Sequence, residues 1–334
     1  MVVNRYVGFK EEASFGTEAS VPMAFDMTDG ISTMALDAPD DPNIAVPTLN
    51  RFQKRHVPGF YSPDGSMEHT IDINTIGWFL KWLLGGYKFT AGSEGGLNTH
   101  EFYSTQSMVL PSFTARTGKD TFEHVMLGCV LNNMELTIDK DLATAKTDIV
   151  AQKDKKAALR TTLNELDDTI YPIAFYNVNT TIGGTSVSQD VLSWKWTYKN
   201  GIKAEDGLGQ GSRFPYSLNA KDGSTELAIK INDDGSEKLE AFWGNATGPS
   251  NDPQALFAVQ SIFDSGTFGN MHINFPRSYY TKAPTDIKEA EPRTPELGIG
   301  IEADEITLAD STTKVVSPVL ITLQNKQPEY KLTA

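Results

Sequence analysis

Among 334 residues there is one cysteine, Cys129, so the chain cannot close an internal disulfide. In the run GCVL it reads as a small buried hydrophobe rather than a nucleophile. Basic residues are few: 29 Lys and Arg stand against 43 Asp and Glu, giving a net charge of −14. That balance excludes a scaffold that grips nucleic acid by its phosphates, which needs clustered cations. It still permits a surface past which DNA slides, because like charges repel. No apolar run approaches the ~18 residues a membrane span requires, and the nearest, IGWFLKWLLGG, is broken by Lys81. The opening MVVNRYVGFK lacks the apolar core of a signal peptide. The expectation is synthesis and folding in a reducing cytoplasm, with no membrane partner.

Chemistry-bearing patterns are equally scarce. The five histidines (His56, His69, His100, His124 and His272) show no ligand spacing, and one cysteine cannot complete a zinc site. They read as structural. INDDGSE (231–237) and DKDLATAKTD (139–148) lack the alternating acids and closing Glu of a calcium loop, so both read as turns. There is no GxSxG elbow and no phosphate loop, and GLGQGS (207–212) reads as a flexible loop. The acid pairs Glu11-Glu12 and Asp167-Asp168 have the residue types of a glycosidase, but in so acidic a chain they are expected to be solvated. Trp78/Trp82 and Trp194/Trp196 are either sugar-stacking platforms or, as is commoner, packing residues. No catalytic, cofactor-binding or metal-ligating residue is assigned, no cofactor is expected, and the protein is read as a non-enzyme.

What the sequence does hold is strand. EHTIDI, MELTID, KTDIVA, LSWKWTY, ELAIKI, HINF, LGIGIEA and VLITLQ are short, partly alternating and rich in β-branched and aromatic residues. Turn-formers such as SPDGS, AKDGS, TTIGGTS and DSGTFGN separate them. In LSWKWTY (192–198), Leu192, Trp194, Trp196 and Tyr198 share one face, which belongs on a core. Helical spacing is confined to IGWFLKWLL (76–84), SEKLEAFWGN (236–245) and KDKKAALRTTLNELDD (153–168). The chain is therefore mainly β. DAPDDPN, the basic RFQKRH (51–56) and TKAPTDIKEAEPRTPE (281–296) read as exposed polar loops or arms.

One stretch is said twice. DGSMEHTIDINTIGWFLKWLLGG (64–86) and DGSTELAIKINDDGSEKLEAFWG (222–244) agree without gaps at nine of 23 positions, from Asp64/Asp222 to Gly86/Gly244. Both read as an Asp-Gly turn, an alternating strand and a short amphipathic helix stopped by Gly. Asp-Gly turns before strands are common in any β protein, but that explains the following helix poorly. The order predicts a duplicated domain, with boundaries at 1–175 and 176–334.

The succession of segments resembles the tail tube (major tail) proteins of long-tailed phages and archaeal tailed viruses. The resemblance is carried by YVGFKEEASFGTEASVPMAF (6–25), RHVPGFYSPDGSMEHTIDI, HEFYSTQSMVLPSFTARTG (100–118) and LGCVLNNMELTIDKDLATAKTDIVAQ (127–152). A looser match runs through SWKWTYKNGI and INFPRSYY, and the C-terminal segment matches least. It implies two tandem tail-tube-like β-sandwich or barrel domains, each with a short flanking α-helix. It also implies a structural virion protein that forms stacked rings around a lumen for genome passage. With two domains per chain, three copies would make a pseudo-sixfold ring. The implied partners are further copies, the tail terminator, tape measure and baseplate proteins, and viral DNA passing without sequence-specific contact. The other reading is a carbohydrate-binding or carbohydrate-active β-sandwich module of a virion adhesin, using the tryptophans and acid pairs.

Overall fold

The computed structural model describes residues 5–19, 23–25, 59–93, 95–159, 164–165, 172–208, 210–232, 237–251, 254–283 and 294–331. DAPDDPN, RFQKRH, Asp167-Asp168, most of 281–296 and the centre of INDDGSE lie outside the described residues. The first part of the chain forms β1 (Arg5–Glu11), β2 (Met23–Phe25), β3 (Asp64–Thr70), α1 (Ile76–Leu84), β4 (Gly85–Thr90), β5 (Asn98–Ser104), β6 (Phe113–Lys119), β7 (Phe122–Ile138), β8 (Thr144–Val150), β9 (Lys153–Ala157) and β10 (Asn164–Glu165). The second part forms β11 (Val178–Ile182), β12 (Thr185–Ser186), β13 (Val191–Lys199), β14 (Ile202–Glu205), β15 (Ser217–Ala220), β16 (Ser224–Ile231), α2 (Glu237–Trp243), β17 (Phe257–Asp264), β18 (Asn270–Lys282), β19 (Glu296–Glu302), β20 (Asp304–Thr307), β21 (Lys314–Ser317) and β22 (Leu320–Asn325). The protein is mainly β and sandwich-like.

The long strand β7 organises the first part. Its first half pairs with β6 and β9, and its second half with β8 and β13, all antiparallel. Between the halves lies Gly128 at φ +62, where a Cβ would meet Gln152 and Phe15. Only glycine adopts that backbone at no steric cost, so the strand bends there and passes from one layer to the other. Residues 125–131 are buried without alternation because both of their faces are covered.

The helix α1 is apolar except for Lys81, and its other eight residues are buried between β7 and the β4–β5 hairpin, so it is covered more fully than an amphipathic helix. Asp72 orders the turn that leads into it: Oδ1 accepts the N–H groups of Asn74 at 2.6 Å and Thr75 at 3.2 Å. The aromatic core beneath it stacks Trp82 on Phe113 at 4.4 Å, with Phe9 edge-on to Phe113 at 5.8 Å. In the second part, Trp194 packs edge-on to Phe263 at 5.2 Å, and Trp196 lies 6.0 Å from Phe275. One continuous hydrophobic core holds residues of both parts.

The same succession of pairings occurs twice. In the first part the order is β2–β1–β6–β7–β8–β3, and in the second β12–β11–β17–β18–β19–β16. A helix follows β3 and β16 in turn, and each lies on the long strand of its own part. The irregularities recur as well. The β6–β7 ladder shifts between Phe113 and Ala115, and the β17–β18 ladder between Phe257 and Val259. The β7–β8 ladder shifts between Leu131 and Asn133, and the β18–β19 ladder between Tyr280 and Lys282.

Three expectations change. Residues 153–157 do not begin a helix: they form β9, paired with Glu123–Leu127 of β7, because an open ladder outweighs the helix preference of Lys and Ala. DGS is a turn only at 222; at 64 it is already strand β3. The register also differs. Gly65 lies opposite Ile149 and Leu227 opposite Ile299, so Gly65 corresponds to Leu227 rather than to Gly223.

Candidate assembly surface

The two parts meet at β13. Its residues Trp194–Lys199 pair with Asn133–Ile138 of β7 on one edge, and the strand pairs with β16 on the other. Alternation drives this seating, for Trp194, Trp196 and Tyr198 are buried while Lys195 points outward to Glu135 at 2.8 Å. Trp196 Nε1 donates to Thr225 Oγ1 at 2.8 Å, and Tyr198 Oη lies 2.8 Å from Ser104 Oγ. Just past the strand, Asn200 is 5% exposed. Its Nδ2 donates to the carbonyls of Leu83 and Leu131, both at 2.9 Å, and its N–H to Asn132 O at 2.8 Å. Asn132 returns a bond, its Oδ1 accepting the N–H of Ile202 at 2.9 Å. One side chain thus closes the last turn of α1 onto β7.

A second tie runs through the chain's end. β22 pairs with both β18 and β5, and Tyr330 sits on α1, edge-on to Trp78 at 5.3 Å. Tyr330 Oη donates to Asn74 O at 3.1 Å and accepts from Asn325 Nδ2 at 2.9 Å. Lys81, the one charged residue of α1, donates to Tyr330 O at 2.8 Å and to Glu11 Oε2 at 2.7 Å. Glu11 also accepts from Trp82 Nε1 at 3.2 Å.

The outward features are hairpins and loop tips. The β14–β15 and β20–β21 hairpins form two separate small sheets. Leu208 and Tyr216 are exposed in the loop of the first, and Val316 on the second. Lys221 beside Glu205, helped by Asn219 and Ser217, holds the Glu205 carboxyl down at about 2. Lys88, Thr313 and the backbone of the 310–313 turn hold Asp310 well below the usual carboxylate range. Met108 and Val109 form an exposed tip between β5 and β6. Phe175 and Tyr176 are exposed where the two parts join, beside a cleft of about 340 Å³ lined by Ile138, Asp139, Val191 and Trp194.

The residues singled out in the sequence are mostly structural. Trp82, Trp194 and Trp196 are buried and Trp78 nearly so, which leaves no tryptophan platform open to a sugar among these four. Glu11 and Glu12 are not solvated. Glu12 is 6% exposed and accepts from Ser112 Oγ, Thr114 Oγ1 and the N–H groups of Gly16 and Gly128, each at 2.9 Å. Gly16 is near in sequence, but Ser112, Thr114 of β6 and Gly128 of β7 are at least 100 positions away, which neighbours in sequence do not reveal. Cys129 is fully buried, and burial pushes its thiol well up. Burial also lowers His69 and His100 to about 4, so both imidazoles are neutral. His124 Nε2 contacts Asp154 Oδ2 at 2.8 Å. Among the described residues no three His, Cys, Asp or Glu side chains gather as a metal site. Asn200 escapes sequence reading because Asn-Gly signals a tight turn, and nothing local marks it as a link between distant carbonyls.

The family model described as phage tail tube protein matches residues 3–301. No curated protein matches the chain. With that match running through both pairing successions and the joint at β13, the chain belongs to the phage tail tube protein family and is a structural component of the virion tail.

Proposed function

We propose that three copies of this chain close a ring of six equivalent units, that rings stack into the tail tube, and that the genome passes through the lumen at ejection. The two units are residues 1–175 and 176–334, each a tail-tube-like sandwich with one flanking helix. The observation that carries this reading is the repeated pairing succession with both ladder irregularities in matching places. Two coincident bulges are features of a shared ancestry rather than of any β-sandwich. A ring of heterologous contacts forms when the rotation from each unit to the next closes on itself, and inside the chain the second unit already docks on the first through β13. The net charge of −14 suits a lumen that does not retain DNA. Tubes of this kind are assembled in the host cytoplasm on a baseplate and tape measure and closed by a terminator.

Electron microscopy of the purified protein, alone and with tail assembly partners, tests the reading. Rings or tubes whose averaged cross-section carries threefold symmetry with a near-sixfold outline are expected. Six chains per ring, or an absence of rings at every concentration and with every partner, would overturn it.

A further inference from the structure

Matching irregularities make the two parts superposable residue by residue along their long strands. Leu131 corresponds to Tyr280 and Asn133 to Lys282, each at the same shift of the same ladder. The helices end alike, α1 at Gly85 and α2 at Gly244. The notch that Asn200 fills, formed by Leu83, Leu131 and Asn132, therefore has a counterpart formed by Phe242, Tyr280 and Thr281. The surroundings of the two notches differ sharply. Around the first, eight of the nine α1 residues are buried, whereas α2 has no buried residue although Leu239, Phe242 and Trp243 lie along it. Those three are only half-buried, and Thr281 and Lys282 are exposed. In the first part the cover comes from the β4–β5 hairpin, β22 and Tyr330, and the second part has no hairpin between α2 and β17 among the described residues.

We propose that the last turn of α2 and the Tyr280–Lys282 end of β18 are the docking site for a second copy of this chain. There the first repeat of the next copy takes the place that β13 and Asn200 take within a copy. The proposal rests on the ring reading above. A second copy is the occupant because the first notch is already filled within the chain by the repeat that follows it, and a ring of identical chains presents the first repeat of the next copy to the second notch. Half-buried Leu239 and Trp243 supply the apolar contact that such heterologous interfaces bury at their centre.

Hydrogen exchange on dispersed and assembled protein, with microscopy and mass photometry of the Trp243→Asp variant, tests this. In assembled protein the amides of 242–244 and 281–283 are expected to gain protection, while those of 83–85 and 131–133 stay equally protected in both forms. Trp243→Asp is expected to weaken assembly by about tenfold or more, as loss of a central aromatic does, with an unchanged melting curve. If Trp243→Asp fails to fold, the exchange pattern of the natural chain decides alone. Rings that form with no added protection at α2 and β18 place the contact elsewhere, overturning the proposal while leaving the ring reading intact. A natural chain that never forms rings overturns the ring reading itself, and this proposal with it.

Discussion

Replacing Tyr330 tests whether the chain's end is a clamp on α1 or a trailing segment. The ring is 1% exposed, meets His100 at 4.6 Å and Trp78 at 5.3 Å, and closes two hydrogen bonds through its hydroxyl. Tyr330→Phe keeps the packing and strips the hydroxyl. Asn325 Nδ2 retains Ile73 O at 2.7 Å, so one carbonyl and part of one donor lose their partner. A cost of about 1–2 kcal/mol follows. Tyr330→Ala removes the ring as well and opens a cavity between α1 and β5, for which buried aromatic truncations cost about 3–5 kcal/mol. Gly77→Ala reaches the same contact from the other side, since a Cβ there lies 2.3 Å from Tyr330 Cζ and the ring must shift. Urea unfolding followed by tryptophan fluorescence reads all three, because Trp78 and Trp82 flank the site. The order Ala, then Phe, then the natural chain is expected in midpoint. If Tyr330→Ala costs less than about 1 kcal/mol, well below that range, the clamp does not exist and α1 is held by its own part alone.

Two further perturbations address the charged interior. Arg116 and Glu123 form an ion pair with side chains 1% and 0% exposed, joined by Glu18 and Tyr6. Arg116→Met leaves the buried Glu123 carboxylate with Tyr6 but without its cation and is expected to cost about 3–5 kcal/mol, with the Arg116→Met/Glu123→Gln double variant costing less than the single one; a double variant worse than the single would refute the pairing. Acid should also destabilise the fold before the carboxylates titrate. His69 and His100 titrate at about 4 when folded, against 6.5 for an imidazole free in water. Between those values the unfolded chain binds protons that the native one refuses. Stability is therefore whole above about pH 6.5 and falls toward pH 4, by up to about 1.4 kcal/mol per unit for each histidine. Unfolding midpoints across that window measure it, and His100→Gln is expected to flatten the slope.

Local signals are readable where one element satisfies itself. The 76–84 helix is legible because its apolar residues recur at helical spacing and Gly follows. Its reading as an amphipathic helix understates its burial, since eight of its nine residues are covered by elements distant in the chain. The β13 strand is legible from strict alternation, and Trp194 and Trp196 lie on the core face that alternation requires. Residues 153–157 mislead because their conformation is decided by β7, whose edge they complete from about thirty positions away in the chain. Their lysines are what an exposed ladder edge carries to discourage stray pairing, so a signal is present but points to strand position rather than helix. Glu12 and Asn200 are hidden for a related reason: each is defined by hydrogen bonds to groups that only the folded layers assemble.

The repeat shows why identity and equivalence can part. Asp64/Asp222 and Gly65/Gly223 match as letters, yet the ladders set Gly65 against Leu227, and the even slip keeps the same face inward. Hence Met67 and His69 on one strand, and Leu227 and Ile229 on the other, are all buried under either alignment. Alternation alone cannot choose between registers two or four residues apart, because each preserves the pattern of burial. The bulges can, since a two-against-one mismatch occurs at a single place in a ladder. At Leu131–Asn133 that mismatch turns the long strand just where β13 meets it, and the same mismatch recurs at Tyr280–Lys282. Both ladders carry the irregularity although the residues around it differ, so the backbone marks an equivalence that the letters do not.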